Sequence, residues 1–325
     1  MGGRPSVRGA LCLGGGGAVC RGTGSGSDQC QGKGGLSTGA CRPLTAFPSA
    51  ALSEVAYAKI NLALHVRRRR DDGYHDIESL FAFAEDGDRL HAVTRDDGQL
   101  SLTIDGPFGA GLDSGADNLV VRAAHALKNA FNITVGAAIH LNKRLPVASG
   151  IGGGSADAAA ALRMLARLWA IDRPMHALAA TIGSDVPACL VSRTLMGTGR
   201  GEALDLCAID GLGGMPLLLV NPGIGLSTAP VFAGWDRVDR GPLVADTLDA
   251  LIAEGRNDLY PPAVALVPQI GAVLESLAAQ PGVRLARMSG SGATCFALFD
   301  DSAQRDAAAA AMPAHWWTLS SRVRA

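Results

Sequence analysis

Three ionisable side chains have the types that acid–base and phosphoryl chemistry requires. Lys59 lies within an alternating strand pattern, where lysine is disfavoured unless it faces solvent or a site. Asp185 stands in the GSDVP stretch of residues 183–187, where it could also cap the following helix. His75 ends a GYH motif that follows a charged, turn-like run. Because a carboxylate accepts a hydroxyl proton and an ammonium offsets developing negative charge, a Lys–Asp pair suits phosphoryl transfer.

A glycine-rich loop is the most informative stretch of the chain. Residues 146–156 read PVASGIGGGSA, between a predicted strand and a predicted helix. Glycines let the backbone approach a ligand, and the free N–H groups of a first helical turn attract anions, so the loop suits polyphosphate. No Gly-Lys-Ser/Thr follows, as a Walker A loop needs, and Ser155 replaces the third glycine of a dinucleotide fingerprint. A flexible loop with a helix cap is the alternative.

Two further glycine elements strengthen this interpretation. Residues 288–294 read MSGSGAT and residues 197–202 read GTGRGE. Either one alone could belong to a hairpin, since hairpins also use such glycines. Three such elements in one chain favour a phosphate or nucleotide site.

Mixed periodicities predict an α+β or α/β body that positions these motifs. A glycine-containing break at residues 206–214 could separate two lobes. The pattern predicts strands at 53–66, 137–141, 215–220 and 295–299, and helices at 116–131, 155–170, 174–182 and 263–278.

The first fifty residues differ in composition from the body. They hold 14 of the 42 glycines, and five basic residues stand against one acidic residue. Such glycine runs cannot offset the conformational entropy that the chain loses when it becomes ordered, so we expect residues 1–50 to be a disordered Gly-rich tail. A dispensable tail, a start placed too far upstream and a targeting segment all stay open, although no apolar stretch is long enough for a secretory signal.

Composition also excludes several classes of protein. The chain of 325 residues carries a net charge of −1, so we expect no nucleic-acid partner and no membrane surface. At 48% hydrophobic and 18% charged residues, it can bury a substantial core. Only three cysteines lie in the body, which indicates a reducing compartment, and we predict a cytoplasmic monomer or weak homodimer.

Six motifs in a fixed order carry a resemblance to a known family. They are AKINL at 58–62, GYH at 73–75, the loop at 146–155, GSDVP at 183–187, NPG at 221–223 and SGSGA at 289–293. The chain resembles the GHMP kinase superfamily from residue 52 to about 320, and within it the kinases that act on 4-diphosphocytidyl-2-C-methyl-D-erythritol. The triple glycine is typical of that group, whereas Ala156 stands where a second serine is usual.

The resemblance implies an α+β, two-lobed GHMP kinase fold and a reaction. The expected lobes are a ribosomal-protein-S5-like lobe at 51–205 and a ferredoxin-like lobe at 206–325. The expected reaction transfers the γ-phosphate of ATP to the 2-hydroxyl of 4-diphosphocytidyl-2-C-methyl-D-erythritol, a step of the methylerythritol phosphate route to isoprenoid precursors. Magnesium is expected with ATP, but its ligands are not identified.

The same resemblance assigns residues to the site. Lys59 and Asp185 match the catalytic pair. The substrate-side positions are Asn61, Tyr74, His75, Thr228 and Phe232, with the Tyr74 ring suited to stacking on cytosine. The ATP-loop positions are Pro146, Val147, Ala148, Ser149, Gly150, Ile151, Gly152, Gly153, Gly154, Ser155 and Ala156.

Three rival functions need consideration. Another GHMP kinase could act on mevalonate, homoserine or a sugar, but GYH and the triple glycine speak against it. Loss of Lys59 or Asp185 would indicate a non-catalytic nucleotide-binding relative, and both are present. A dinucleotide-dependent oxidoreductase would need a complete fingerprint after its first strand.

Overall fold

Two β-sheets organise residues 51–325, the part of the chain that this computed structural model describes. The tail predicted at residues 1–50 lies outside the described residues. In the first sheet the order is β3-β4-β2-β5-β6, with β1 also paired to β2, and only the β3–β4 pair is parallel. The strands are β1 Leu52–Arg69, β2 His75–Arg95, β3 Leu100–Asp105, β4 Gly136–Asn142, β5 Leu195–Thr198, β6 Ala203–Leu206, β7 Pro216–Asn221, β8 Val283–Met288, β9 Cys295–Phe299 and β10 Trp317–Arg322.

Helix α2 is the centre of the first lobe, which comprises the first sheet and α1–α4. Its alanine-rich sequence has high helix propensity, and its small side chains let it pack closely against β1, β2, α1 and α4. Most of its length is therefore buried, and its first turn is held in place by that packing. The helices are α1 Leu119–Ala130, α2 Gly153–Leu168, α3 His176–Ile182, α4 Val186–Val191, α5 Thr228–Ala233, α6 Leu248–Glu254, α7 Tyr260–Leu266, α8 Gln269–Ala278 and α9 Ser302–Ala311.

The second lobe comprises the second sheet and α5–α9. Its antiparallel strands stand in the order β10-β7-β9-β8, and helices connect β7 to β8 and β9 to β10. This βαββαβ arrangement, with spatial order 4-1-3-2, confirms the expected ferredoxin-like lobe. The two-lobed α+β fold is thus confirmed, while the boundary at residues 205 and 206 stays a prediction.

Strand β7 separates two of the hydrophobic cores. Leu218 and Val220 point into the core beneath the helices of the second lobe, whereas Leu217 and Leu219 pack with Ile60 and other β1 and β2 residues. This alternation follows from the period of two along a strand. The first lobe has its own core between its sheet and helices. Among the described residues, no helix is long and apolar enough to cross a membrane.

The predicted helix at 263–278 is wrong as a single element. It divides into α7 and α8, because Pro268 lacks a backbone N–H and disfavours helical geometry at Val267, which has φ −137° and ψ 85°. The other predicted elements are present, with ends shifted by a few residues. Strand β2 is not indicated by the sequence, since the acidic, glycine-containing stretch at residues 85–88 interrupts its pattern.

Candidate active site

A cleft of about 1580 Å³ lies between the two lobes. From the predicted loop it is lined by residues 146–150 and 152–155, whereas Ile151 and Ala156 are buried in the cores and do not line it. The structure therefore brings the predicted loop together with the other predicted positions. Those that line the cleft are Lys59, Asn61, Tyr74, His75, Asp185, Thr228 and Phe232.

Lys59 and Asp185 meet at this cleft. Lys59 Nζ lies 3.3 Å from Asp185 Oδ2, and the lysine is 4% exposed, so it does not belong to a solvated strand face. The pairing of β1 with β2 shifts register between Tyr57 and Lys59, and such bulges re-aim side chains. Asp185 occupies the N-cap position of α4, but its side chain makes no capping hydrogen bond and contacts the lysine.

Two β2 side chains support this pair, although the sequence did not single them out. Lys59 Nζ donates to Asn61 Oδ1 at 3.2 Å and lies 4.5 Å from the centroid of the Phe81 ring. Asn61 Nδ2 in turn donates to Ser79 Oγ at 2.7 Å. Ser79 and Phe81 both come from β2, whereas Lys59 and Asn61 come from β1. Pairing of these two long strands therefore fixes the position of the ammonium group.

The loop at 288–294 holds the glycine-rich loop at residues 146–156, which we name the phosphate loop for its expected role, against β1. Ser289 Oγ accepts from the Asn61 backbone N–H at 3.1 Å and donates to the Gly150 carbonyl at 2.9 Å. The Thr294 N–H donates to the Ser149 carbonyl at 3.1 Å. Two of the glycine elements found in the sequence therefore pack directly against each other, one from each lobe.

Positive φ angles shape the phosphate loop. Gly150 has φ +77° and Gly152 has φ +63°, in the left-handed region that favours glycine. A Cβ at Gly150 would lie 2.5 Å from the Ser289 carbonyl oxygen, and one at Gly152 would lie 3.0 Å from Lys59 Cε. The loop ends at the N-terminus of α2, which presents backbone N–H groups to the cleft and attracts anions.

A buried triad of one lysine and two aspartates, which the sequence did not indicate, supports both ends of this loop. Lys143 Nζ donates to Asp88 Oδ2 at 2.5 Å and to Asp157 Oδ2 at 2.6 Å. Asp88 Oδ1 also accepts from the backbone N–H groups of Arg144 and Leu145. Burial raises the pKa of Asp157 to about 8, whereas the two carboxylates raise the pKa of Lys143 although burial acts to lower it. The triad ties β2, the start of the loop and α2 together.

Aromatic side chains line another part of the cleft. The Tyr74 side chain is exposed, and the His75 ring lies 5.0 Å from the Phe232 ring and 5.7 Å, edge-on, from the Trp235 ring. Burial, with a smaller contribution from the Arg69 charge, lowers the pKa of His75. Flat rings around an accessible space offer a stacking surface for a nucleobase.

Thr228 lies beside the second lobe's glycine loop. Its Oγ1 is 3.1 Å from Ser291 Oγ, and both residues line the cleft.

Trp235 belongs to the aromatic group with His75 and Phe232, but the sequence did not indicate this, because a tryptophan after a short helix usually indicates core. Its contact with His75 appears only once the lobes are assembled.

Comparison with known proteins identifies the family. The model described as GHMP kinases N terminal domain matches residues 118–193, and that described as GHMP kinases C terminal matches residues 244–316. The 4-diphosphocytidyl-2-C-methyl-D-erythritol kinase of Rhizorhabdus wittichii is 58% identical over 85% of this chain and 96% of that protein. This chain belongs to the 4-diphosphocytidyl-2-C-methyl-D-erythritol kinase family. It is a small-molecule kinase of the GHMP superfamily.

Other known proteins are similar to the chain in sequence or in fold. The kinase of the same name from Novosphingobium aromaticivorans is 53% identical over 84% of the chain and 93% of that protein. A crystal structure of 4-(cytidine 5'-diphospho)-2C-methyl-D-erythritol kinase matches with a TM-score of 0.73 and 34% identity, covering 84% of this chain and all of that one. A homoserine kinase from Cytophaga hutchinsonii, 14% identical with a TM-score of 0.63 over 86% of this chain and 96% of that one, shares the fold.

Proposed function

We propose that this kinase transfers the γ-phosphate of ATP to the 2-hydroxyl of 4-diphosphocytidyl-2-C-methyl-D-erythritol, a step towards isoprenoid precursors. The observation that carries the proposal is the 3.3 Å contact of Lys59 Nζ with Asp185 Oδ2, in a cleft lined by both a phosphate loop and nucleobase-sized rings. A new P–O bond forms at the acceptor oxygen, the bond from the γ-phosphorus to the bridging oxygen breaks, and ADP leaves.

Asp185 and Lys59 act on the acceptor hydroxyl. The Asp185 side chain is 39% exposed and lines the cleft, so an acceptor hydroxyl can reach it, and its carboxylate accepts the proton as the oxygen attacks. The buried Lys59 ammonium lies beside that carboxylate and offsets negative charge that develops on the acceptor oxygen and the phosphoryl group. Asn61 holds the ammonium in place through its side-chain oxygen.

The phosphate loop binds ATP mainly through its backbone. Gly152, Gly153 and Gly154 leave room for the triphosphate, and the dipole of the 16-residue helix α2 favours its negative charge. Ser155 adds a hydroxyl at the first turn. Pro146, Val147, Ala148 and Ser149 also line the cleft, and we expect them to contact the rest of the nucleotide.

The cleft also fits a magnesium ion that is carried mainly by the nucleotide. Among the described residues, no three His, Cys, Asp or Glu side chains cluster as a metal site. The hard oxygen donors that line the cleft include the Ser155 hydroxyl and the Asp185 carboxylate, which suits Mg²⁺, an ion that takes one or two protein oxygens besides phosphates and water. When bound with ATP, the ion would neutralise phosphate charge.

The cytidine portion binds at the aromatic residues. Tyr74 offers an accessible ring for stacking, while Phe232 and the neutral His75 ring bound the same space. A neutral imidazole carries one donor and one acceptor, which suits the edge of a pyrimidine base.

We further propose that the enzyme works in the cytoplasm as a monomer or weak homodimer.

ADP release from ATP and magnesium, with and without the cytidyl acceptor, tests the substrate. Mevalonate, homoserine and galactose serve as comparison acceptors. Release with the cytidyl substrate alone is the expected result. Release with a different acceptor would overturn the substrate and keep the kinase fold, whereas no release with any acceptor from folded, ATP-binding protein would overturn the assignment of Lys59 and Asp185.

A further inference from the structure

The β5–β6 hairpin carries the third glycine element of the sequence, which the proposed mechanism does not use. A Cβ at Gly197 would lie 2.3 Å from Phe81 Cε2, so glycine lets the hairpin lie directly on the ring that contacts the Lys59 ammonium. At the other end, the Gly199 carbonyl accepts from the Ile77 N–H at 2.7 Å, two residues after His75. The hairpin therefore spans from the reacting pair to the aromatic residues.

Arg200 stands at the tip of this hairpin, between two glycines with positive φ. Its guanidinium carbon lies 5.1 Å from the centroid of the Tyr74 ring, and the residue lines the cleft. Its Nε makes only a long contact of 3.4 Å with Glu202, whose carboxylate also accepts from the Arg200 backbone N–H at 2.6 Å. Among the described residues, nothing accepts a hydrogen bond from its two terminal Nη groups.

A cytidyl substrate must place its two phosphates between these regions. With its base at Tyr74 and its reacting hydroxyl at Asp185, the intervening diphosphate crosses the part of the cleft that the hairpin borders. A guanidinium pairs with phosphate oxygens through two parallel N–H donors, and it stacks on an aromatic ring at the same time. Arg200 has both the free donors and the ring beneath it.

We propose that Arg200 binds the diphosphate of the cytidyl substrate while its guanidinium stays stacked on Tyr74. This inference rests on the proposed function and adds a substrate-binding residue to it. Arg200 thereby selects cytidine diphosphate esters over cytidine itself, because its contribution depends on the phosphates. Glu202 holds the hairpin tip through the backbone, leaving the Arg200 terminal donors for the ligand.

Calorimetric titration with cytidine and with CDP, without ATP, tests the proposal on the full chain. For Arg200→Ala, CDP affinity is expected to fall about tenfold or more, the value of a charge-assisted hydrogen bond, and cytidine affinity to change by less than about twofold. Arg200→Lys should retain part of the CDP affinity, because charge is kept and the paired donors are lost. Arg173→Ala, at an exposed arginine that does not line the cleft, is the matched control and should bind both ligands as the unaltered chain does.

Each other outcome has a distinct meaning. Unchanged CDP affinity in Arg200→Ala would overturn the proposal, and so would an equal loss for cytidine and CDP, which would assign Arg200 to holding the Tyr74 ring. If the unaltered chain binds neither ligand, the cytidyl substrate itself is overturned, which separates failure of the proposed function from failure of this inference.

Discussion

We expect the phosphate loop and the aromatic residues to recognise ligands with different parts of the chain. The loop offers backbone N–H groups and left-handed glycines, and its shape is fixed by hydrogen bonds from Ser289 and Thr294 of the other lobe. The aromatic region instead offers the side chains of Tyr74, His75 and Phe232, of which Tyr74 is largely exposed. Substitution in the loop therefore acts through backbone geometry, whereas substitution at the rings acts through lost contact area.

This difference means that the two regions can be damaged separately. Changes in the loop are expected to alter ATP binding and stability together, because Ser289 and Thr294 of the second lobe hydrogen-bond directly to its backbone. Changes at the exposed Tyr74 ring are expected to alter acceptor affinity and to leave the fold intact.

The largest effect is expected for Asp185→Asn, which lies in the pair with Lys59 and belongs to neither region. Removal of the proton acceptor should lower kcat by about 10²–10⁴-fold, with little change in the KM of either substrate. Steady-state kinetics with each substrate varied in turn measures this. Asp172→Asn, an exposed aspartate that does not line the cleft, is the control. Near-normal kcat in Asp185→Asn would remove the residue from the chemical step.

Gly150→Ala tests whether backbone geometry governs the loop region. Its Cβ would lie 2.5 Å from the Ser289 carbonyl oxygen at φ +77°, so strain and overpacking should lower the free energy of unfolding by about 2–5 kcal/mol. Gly211→Ala is the matched control, since Gly211 has φ +79° with nothing near its Cβ position, and should cost only about 1 kcal/mol. Urea unfolding compares them, and equal losses would contradict the steric argument.

Tyr74→Leu tests the side-chain region without disturbing the loop. Loss of stacking, worth about 1–3 kcal/mol per base, should raise the KM for the cytidyl acceptor about 10–100-fold and leave the KM for ATP unchanged. Tyr74→Phe keeps the ring and should behave almost as the unaltered enzyme. A parallel rise in both KM values would show that the two regions are not separable.

The smallest effect concerns pH. Because burial lowers the pKa of His75 below its ordinary value of 6.5, the ring is neutral at neutral pH, and the acceptor KM should be constant from about pH 7 upwards. As the pH falls through the lowered pKa, protonation places a charge beside Phe232 and Trp235, so the acceptor KM should rise by at most about tenfold per pH unit. The His75→Gln variant should lack this rise, and an unchanged profile in that variant would assign it to another group.

The sequence indicated which residues meet in the cleft better than it indicated the elements that support them. Glycine loops and the Lys59 and Asp185 motifs are local signals, because each reports what one segment needs for its own backbone or chemistry. The structure brings these motifs together in one cleft, as expected. The alternative role of Asp185 as a helix cap is excluded by its missing capping hydrogen bond.

The supporting residues could not be predicted because their signals depend on distant segments. Asp88 and Lys143 are 55 positions apart in the sequence, and the pairing of β2 with β4 brings their side chains into contact. The sequence does not indicate strand β2, because the two acids after Ala84 suggest a turn. In the structure, Ala84 and these two acids form a bulge opposite Ala58, and Ala84 pairs with Val323 of the second lobe. Trp235 and Phe81 likewise acquire their roles only through tertiary packing.

The long hairpin of β1 and β2 has a consequence for the separability of the lobes. Leu64, Val66 and Ile77 lie in the core of the second lobe, although they come from the same two strands as Phe81 and Leu90 in the core of the first. A gene cut near codon 206 would leave each fragment with an open apolar face. Neither half is a module that could be exchanged or inherited alone, so the enzyme is expected to be copied, lost and recombined as one block.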